Sequence, residues 1–128
     1  IGITPVRSML RYLADTKGAG RVEGQELVLL YGCMTEEDII YREQIDDFSR
    51  IIPGLRVVYV ITEPGPDWRG QRGFITAELI RAELADVGAW AYYIVGPPPM
   101  VEAMDKLTDL LQIPQEQIVK ESFSGYAS

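Results

Sequence analysis

The sequence predicts an α/β fold in which a parallel sheet carries helices on both faces, a three-layer arrangement. Apolar runs of strand length alternate with segments whose apolar residues recur at helical spacing. The strand-like runs close on glycine or proline, as at Gly32, Pro64 and Gly96. Strands joined through helices pair in parallel by right-handed crossovers, and such sheets bind ligands beyond the carboxyl ends of their strands.

The elements follow in order. Val6, Met9, Leu10 and Leu13 share one helical face behind Pro5, which predicts a helix over about 5–15. Leu27 to Tyr31 is an apolar run closed by Gly32, a strand covered on both faces. Thr35 followed by Glu36, Glu37 and Asp38 is a capping-box variant with acids in the first turn, opening a helix from Glu36 to about Phe48. Arg56 to Thr62, rich in valine, isoleucine and tyrosine, is a second strand. Glu63 to Gly73 has loop chemistry, with prolines and glycines around Trp68. Phe74, Leu79, Ile80 and Leu84 return to helical spacing. A strand over 90–95, a helix over 100–111 and a strand over 118–123 complete the pattern.

The chain's 128 residues, 47% hydrophobic and 24% charged, suit one globular domain with a real core. No stretch is a membrane span, which needs roughly 18 or more apolar residues. A net charge of -7 opposes a nucleic-acid partner through long-range repulsion. Cys33 is the sole cysteine and histidine is absent, which excludes zinc protease motifs, Ser-His hydrolysis and a cluster held by four thiolates. No metal site is expected. A reducing compartment fits, and cytoplasmic residence, or the cytoplasmic face of a membrane-bound parent, is the expectation.

The most informative stretch is Tyr92, Tyr93, Ile94, Val95, Gly96, Pro97, Pro98, Pro99, Met100: an apolar strand running into a rigid loop poor in N–H donors. It resembles the Cys-Gly-Pro-Pro-Met signature of the nicotinamide-nucleotide domain of ferredoxin-NAD(P)+ reductase-like flavoproteins, with Val95 where that family usually has cysteine. Ile1, Gly2, Ile3, Thr4, Pro5 is similar to the tail of the family's Gly-x-Gly-Ile-(Ala/Thr)-Pro loop, and the strand that should precede it is not in the sequence. Trp68, Gly70, Gly73 and Phe74 resemble the Trp-x-Gly-x-x-Gly-Phe segment of some members. The resemblance implies a Rossmann-like sheet lacking its first strand. It further implies a fragment of a longer flavoprotein, with the whole of 1–128 as its NAD(P)H-binding domain and a barrel holding FAD upstream.

The resemblance also implies roles. Gly2, Thr4 and Pro5 belong to the nucleotide loop, and Tyr31 and Gly32 pass close to the adenosine ribose. Tyr41 packs on adenine, with Arg42 beside a phosphate. Gly96, Pro97, Pro98 and Met100 bound the nicotinamide, next to Val95. Glu121 lies by the nicotinamide, and Phe123 covers the flavin ring until nicotinamide docks. Cys33 and Met34 stand where NADP-selective members commonly place serine and arginine, so NADH is favoured, while Arg42 or Arg50 keeps NADPH open. The implied activity is hydride transfer from NAD(P)H to FAD, then one-electron transfer to a redox acceptor protein or domain. Each residue also admits a plain structural role: Tyr41 as a half-buried helix residue, Trp68 as a loop anchor, Phe123 as strand packing and Cys33 as a small hydrophobe. Two other classes share the layout: a nucleotide-binding or regulatory interaction module without transfer, and a receiver-like signalling domain.

Overall fold

The computed structural model describes residues 6–11 and 26–122. Among the described residues there are five strands, joined through helices except for the loop between the second and third, and every strand pair is parallel. This is the predicted α/β class, divided into two compact units at Ile75 and Thr76.

In the first unit, residues 6–11 are helical (α1). Strand β1 (Leu27–Cys33) pairs along its whole length with β2 (Leu55–Ile61), with Tyr31 opposite Tyr59. Helix α2 (Arg42–Ile51) connects them and buries Ile45 and Phe48. Leu10, Phe48 and Ile52 form a core against which Val6, Leu27, Leu29 and Leu55 pack, so α1 and α2 cover one face of the sheet. A two-residue strand β3 (Gln71–Arg72) adds to the far side of β2. Sequence reading leaves that strand inside a loop, because two residues carry no periodicity.

The helix expected from Glu36 to Phe48 is two pieces. Glu36–Asp38 form a single 3-10 turn, and the α-helix restarts at Arg42 after Tyr41 adopts the left-handed region at φ 61°. The cause is local and tertiary together. Asp38 accepts hydrogen bonds from both the backbone N–H and the hydroxyl of Thr35, at 3.0 Å each, which closes the turn on itself. The Ile40 N–H then donates to the Tyr31 hydroxyl at 3.1 Å instead of continuing a helical ladder.

In the second unit, helix α3 (Ala77–Glu83) starts at Thr76, whose hydroxyl accepts from the Leu79 N–H at 3.1 Å. Phe74, expected inside that helix, precedes it and is 71% exposed. Strand β4 (Tyr92–Gly96) pairs with β5 (Ile118–Ser122). Between them runs α4 (Pro98–Leu110), tied to β5 by Lys120 donating to Asp105 at 2.9 Å. The prolines therefore do not form a loop: Pro97 caps α4, and Pro98 and Pro99 make its first turn, where missing N–H groups cost nothing. Among the described residues the strands lie in two small parallel sheets, β1-β2-β3 and β4-β5.

Candidate functional site

Both units place their candidate residues at the carboxyl ends of parallel strands, the edge where wound sheets bind ligands. In the first unit, Tyr31, Gly32 and Cys33 end β1, and Met34 follows with half its surface exposed. The rim is sewn shut between strands: the Thr62 and Glu63 N–H groups donate to the Cys33 and Met34 carbonyls at 2.9 and 2.7 Å. A Cβ built on Gly32 would come no nearer than 3.5 Å to the end of the Ile75 side chain, so no contact within the protein demands glycine there. The exposed side of Gly32 is open for a ligand to use.

Beside this rim lies an aromatic and ionic cluster. Tyr31 and Tyr59 rings meet at 6.1 Å, tilted by 43°. The Tyr59 hydroxyl donates to Asp46 at 2.7 Å; burial first, then this carboxylate, push its pKa well above the usual tyrosine value. Arg42 is held between the Tyr59 and Trp68 rings, 5.3 and 5.5 Å from their centroids, and donates to Glu36 at 2.8 Å. Its pKa is raised, chiefly by the hydrogen bond to Glu36. Trp68 is 9% exposed and its indole N–H donates to the Gln71 carbonyl at 2.9 Å, so it is a loop anchor. Burial raises the Cys33 thiol pKa, opposed by a hydrogen bond with Tyr31.

Tyr41 and Arg42, expected to meet adenine and a phosphate, both have partners within the protein. The Arg7 guanidinium lies 4.7 Å from the Tyr41 ring centroid, covering one face, and Arg42 is engaged by Glu36. Arg50, the other cation considered for a 2′-phosphate, is paired with Asp47.

In the second unit, Val95 and Glu121 are direct partners across β4 and β5, as are Gly96 and Ser122. The sequence separates these residues by 26 positions or so, and the parallel register brings them together. Tyr93 and Glu121 are diagonal neighbours across the two strands, and the Tyr93 pKa is raised by desolvation and then by that carboxylate. Gly96 is buried under Met100: a Cβ at 96 would overlap the thioether sulfur at 2.0 Å. The expected clear approach over Gly96 is thus occupied by a flexible side chain. The start of α4 offers no unengaged amide, since Pro98 and Pro99 have none and the Met100 N–H is bonded to the Pro97 carbonyl at 3.0 Å. A helix start of this kind suits a flat, weakly polar ring and not a phosphate.

Gly2, Thr4, Pro5 and Phe123 lie outside the described residues. Sequence reasoning missed Tyr59, Glu36 and Tyr93 as members of these clusters. Period-two alternation was the available signal for Tyr93, which shares a face with Val95. Among the described residues no group of acids and Cys33 is arranged to hold a metal, and no helix is long and apolar enough to cross a membrane.

Residues 1–106 match the family described as oxidoreductase NAD-binding domain. The chain belongs to that family. Among relatives of this NAD-binding domain, NADH-cytochrome b5 reductase 1 of Aspergillus terreus is 34% identical over 112 residues, covering 86% of the chain and 38% of the relative. The Coccidioides immitis protein of the same name is 33% identical over 124 residues, covering 94% and 40%. The chain therefore spans about two fifths of the length of these relatives. Among solved structures, the CS-b5R domains of human Ncb5or in the NAD+ form superpose with a TM-score of 0.75 at 27% identity, covering 93% of this chain and 33% of that one. The cytochrome b5 reductase domain of Ulva prolifera nitrate reductase gives 0.76 at 22% identity, covering 94% and 45%, a likeness of fold. The α/β fold of the NAD-binding domain is thus the one the sequence predicts.

Proposed function

We propose that this chain is the NADH-binding domain of a flavin-dependent reductase, with residues 1–128 forming that domain and FAD carried by a separate domain of the same polypeptide. One observation carries the reading: in each unit, the residues singled out by the family resemblance stand at the carboxyl ends of parallel strands, Tyr31 to Cys33 on β1, Val95 and Gly96 on β4 and Glu121 on β5. Family membership over residues 1–106 supports it.

The two rims divide the work by chemistry. The β1 rim, with Tyr31, Gly32, Cys33, Met34, Tyr41 and Arg42, takes the adenosine half, offering aromatic surface and an open glycine edge. The β4–β5 rim takes the nicotinamide through Val95, Gly96, Pro97, Pro98, Met100 and Glu121, offering an apolar helix start without spare amides and one carboxylate. Gly2, Thr4, Pro5 and Phe123 complete the site as the resemblance implies. Reduced nicotinamide, when bound, supplies a hydride to the flavin. The residues on this chain set where the ring lies: Val95 gives its face an apolar stop, Glu121 stands directly across the strand pair from Val95, and Met100 swings off Gly96 to admit it.

NADH is the favoured coenzyme, because Cys33 and Met34 bring neither charge nor strong donors, and Arg42, the arginine beside this rim, is already paired with Glu36. The relatives' names point to a cytochrome b5 as the class of acceptor. Anaerobic mixing of the intact, flavin-loaded protein with NADH or NADPH tests the reading. Bleaching of the flavin by NADH at lower concentration than by NADPH is expected. No bleaching and no binding of either coenzyme refutes it.

A further inference from the structure

The ion pair that Glu36 makes is a weak source of stability. Formed with Arg42, it leaves both side chains 41% exposed, and pairs so open to water contribute little to stability. Arg42 does not need Glu36 to hold its place, either. Its guanidinium lies between the Tyr59 and Trp68 rings, and its Nε is 4.0 Å from Asp46, which the Tyr59 hydroxyl fixes from the other side. Glu36 instead takes Nη1, a nitrogen of the fork that Asp46 does not reach and that could otherwise donate to an anion.

Position makes this consequential. Glu36 opens the turn that follows β1, three residues after Cys33, and Tyr31 is tied to the same turn through the Ile40 N–H. Tyr31 in turn touches Tyr59, on which Arg42 is stacked. A pre-set guanidinium beside the strand end that receives an adenosine is well suited to bind a 2′-phosphate. Of the neighbouring acids, Asp38 is occupied by Thr35, whereas Glu37 is exposed on the same turn.

We infer that Glu36 is a specificity-determining residue: by engaging Nη1 of the Arg42 guanidinium and offsetting its charge it withholds that cation from a 2′-phosphate, and so selects NADH against NADPH. The inference rests on the dinucleotide reading above and names the group that enforces its coenzyme preference. Glu36 acts through Arg42, as a positioning residue that touches no reacting atom.

The test compares 5′-AMP with adenosine 2′,5′-bisphosphate by calorimetry on the intact protein, so the readout does not depend on catalysis. Glu36→Ala, with Glu36→Gln as a second variant should alanine fail to fold, is expected to improve the bisphosphate-to-AMP affinity ratio about tenfold, the scale of one charge-assisted contact. Adding Arg42→Ala to either variant is expected to erase that gain. General damage would weaken both ligands together and leave the ratio unchanged, which overturns the inference. An equal gain from Glu37→Gln also overturns it, by showing that bulk negative charge and not the release of Arg42 is responsible. Wild-type protein that binds AMP with an unmoved ratio in the variants refutes Glu36 alone. Wild-type protein that binds neither ligand refutes the dinucleotide reading and this inference with it.

Discussion

Tyr59 shows how one side chain couples packing to charge. Its half-buried hydroxyl donates to Asp46, and desolvation followed by that carboxylate raises its pKa from the ordinary value of 10.0. Tyr59→Phe should cost about 1 kcal/mol at neutral pH, the net worth of such a bond, measured by urea unfolding. The sign of the pH effect follows from the raised pKa. The stabilisation is fully present below the unfolded-state pKa near 10 and is lost as pH rises toward the folded-state value. Wild-type stability should fall more steeply than that of Tyr59→Phe above about pH 10. Cys33 follows the same logic: burial raises its thiol pKa, so at pH 8.5 or so it should alkylate with iodoacetamide several-fold more slowly than a free cysteine. Val95 presents a hydrocarbon where the resembled family has a polarizable sulfur. Val95→Cys in the intact protein should speed flavin reduction by NADH, and an unchanged stopped-flow rate would remove Val95 as the cause of any altered nicotinamide placement.

The loop from Glu63 to Gly73 depends on close approach at a single glycine. A Cβ on Gly70 would stand 2.6 Å from Cζ2 of Trp68, a ring that is buried and pinned by its bond to the Gln71 carbonyl. Because that ring cannot yield, Gly70→Ala should destabilise by roughly 1–3 kcal/mol, as overpacking does. In a Trp90→Phe background the Trp68 emission should shift to the red, reporting displacement of the indole. Legibility differed between elements for reasons of this kind. Strands β1 and β2 were readable within two residues at either end because β-branched and apolar runs need only the pleat. The break before α2 was not readable, since Ile39, Ile40 and Tyr41 include no breaker and the Ile40 N–H is diverted by Tyr31 from a different element. At α4 the error was opposite: three prolines read as loop are the cap and first turn of a helix. Of the candidate site, strand-end positions followed from composition, whereas the Arg42 cluster depends on tertiary contacts among Glu36, Tyr59 and Trp68 that no local pattern encodes.

At the scale of the whole molecule, the two compact units make the division of the dinucleotide measurable. Each carries its own parallel strand ends and its own chemistry: paired aromatics and a paired arginine around β1, an apolar helix start and the Glu121 carboxylate around β4 and β5. Half-ligands should therefore report separately. In the intact protein, 5′-AMP should shift the backbone amide resonances of Tyr31, Gly32 and Met34 and quench Trp68, while reduced nicotinamide mononucleotide should shift those of Val95, Gly96 and Glu121. The mononucleotide should bind more weakly, because Met100 must leave the surface of Gly96 before a ring can lie there, and moving a side chain off its preferred rotamer costs about 1 kcal/mol. Met100→Ala removes that cost and changes no residue of the β1 rim, so it should leave the AMP shifts in place. Shifts from both half-ligands confined to one unit would refute the division, because each set of strand ends would then lack the ligand its chemistry fits.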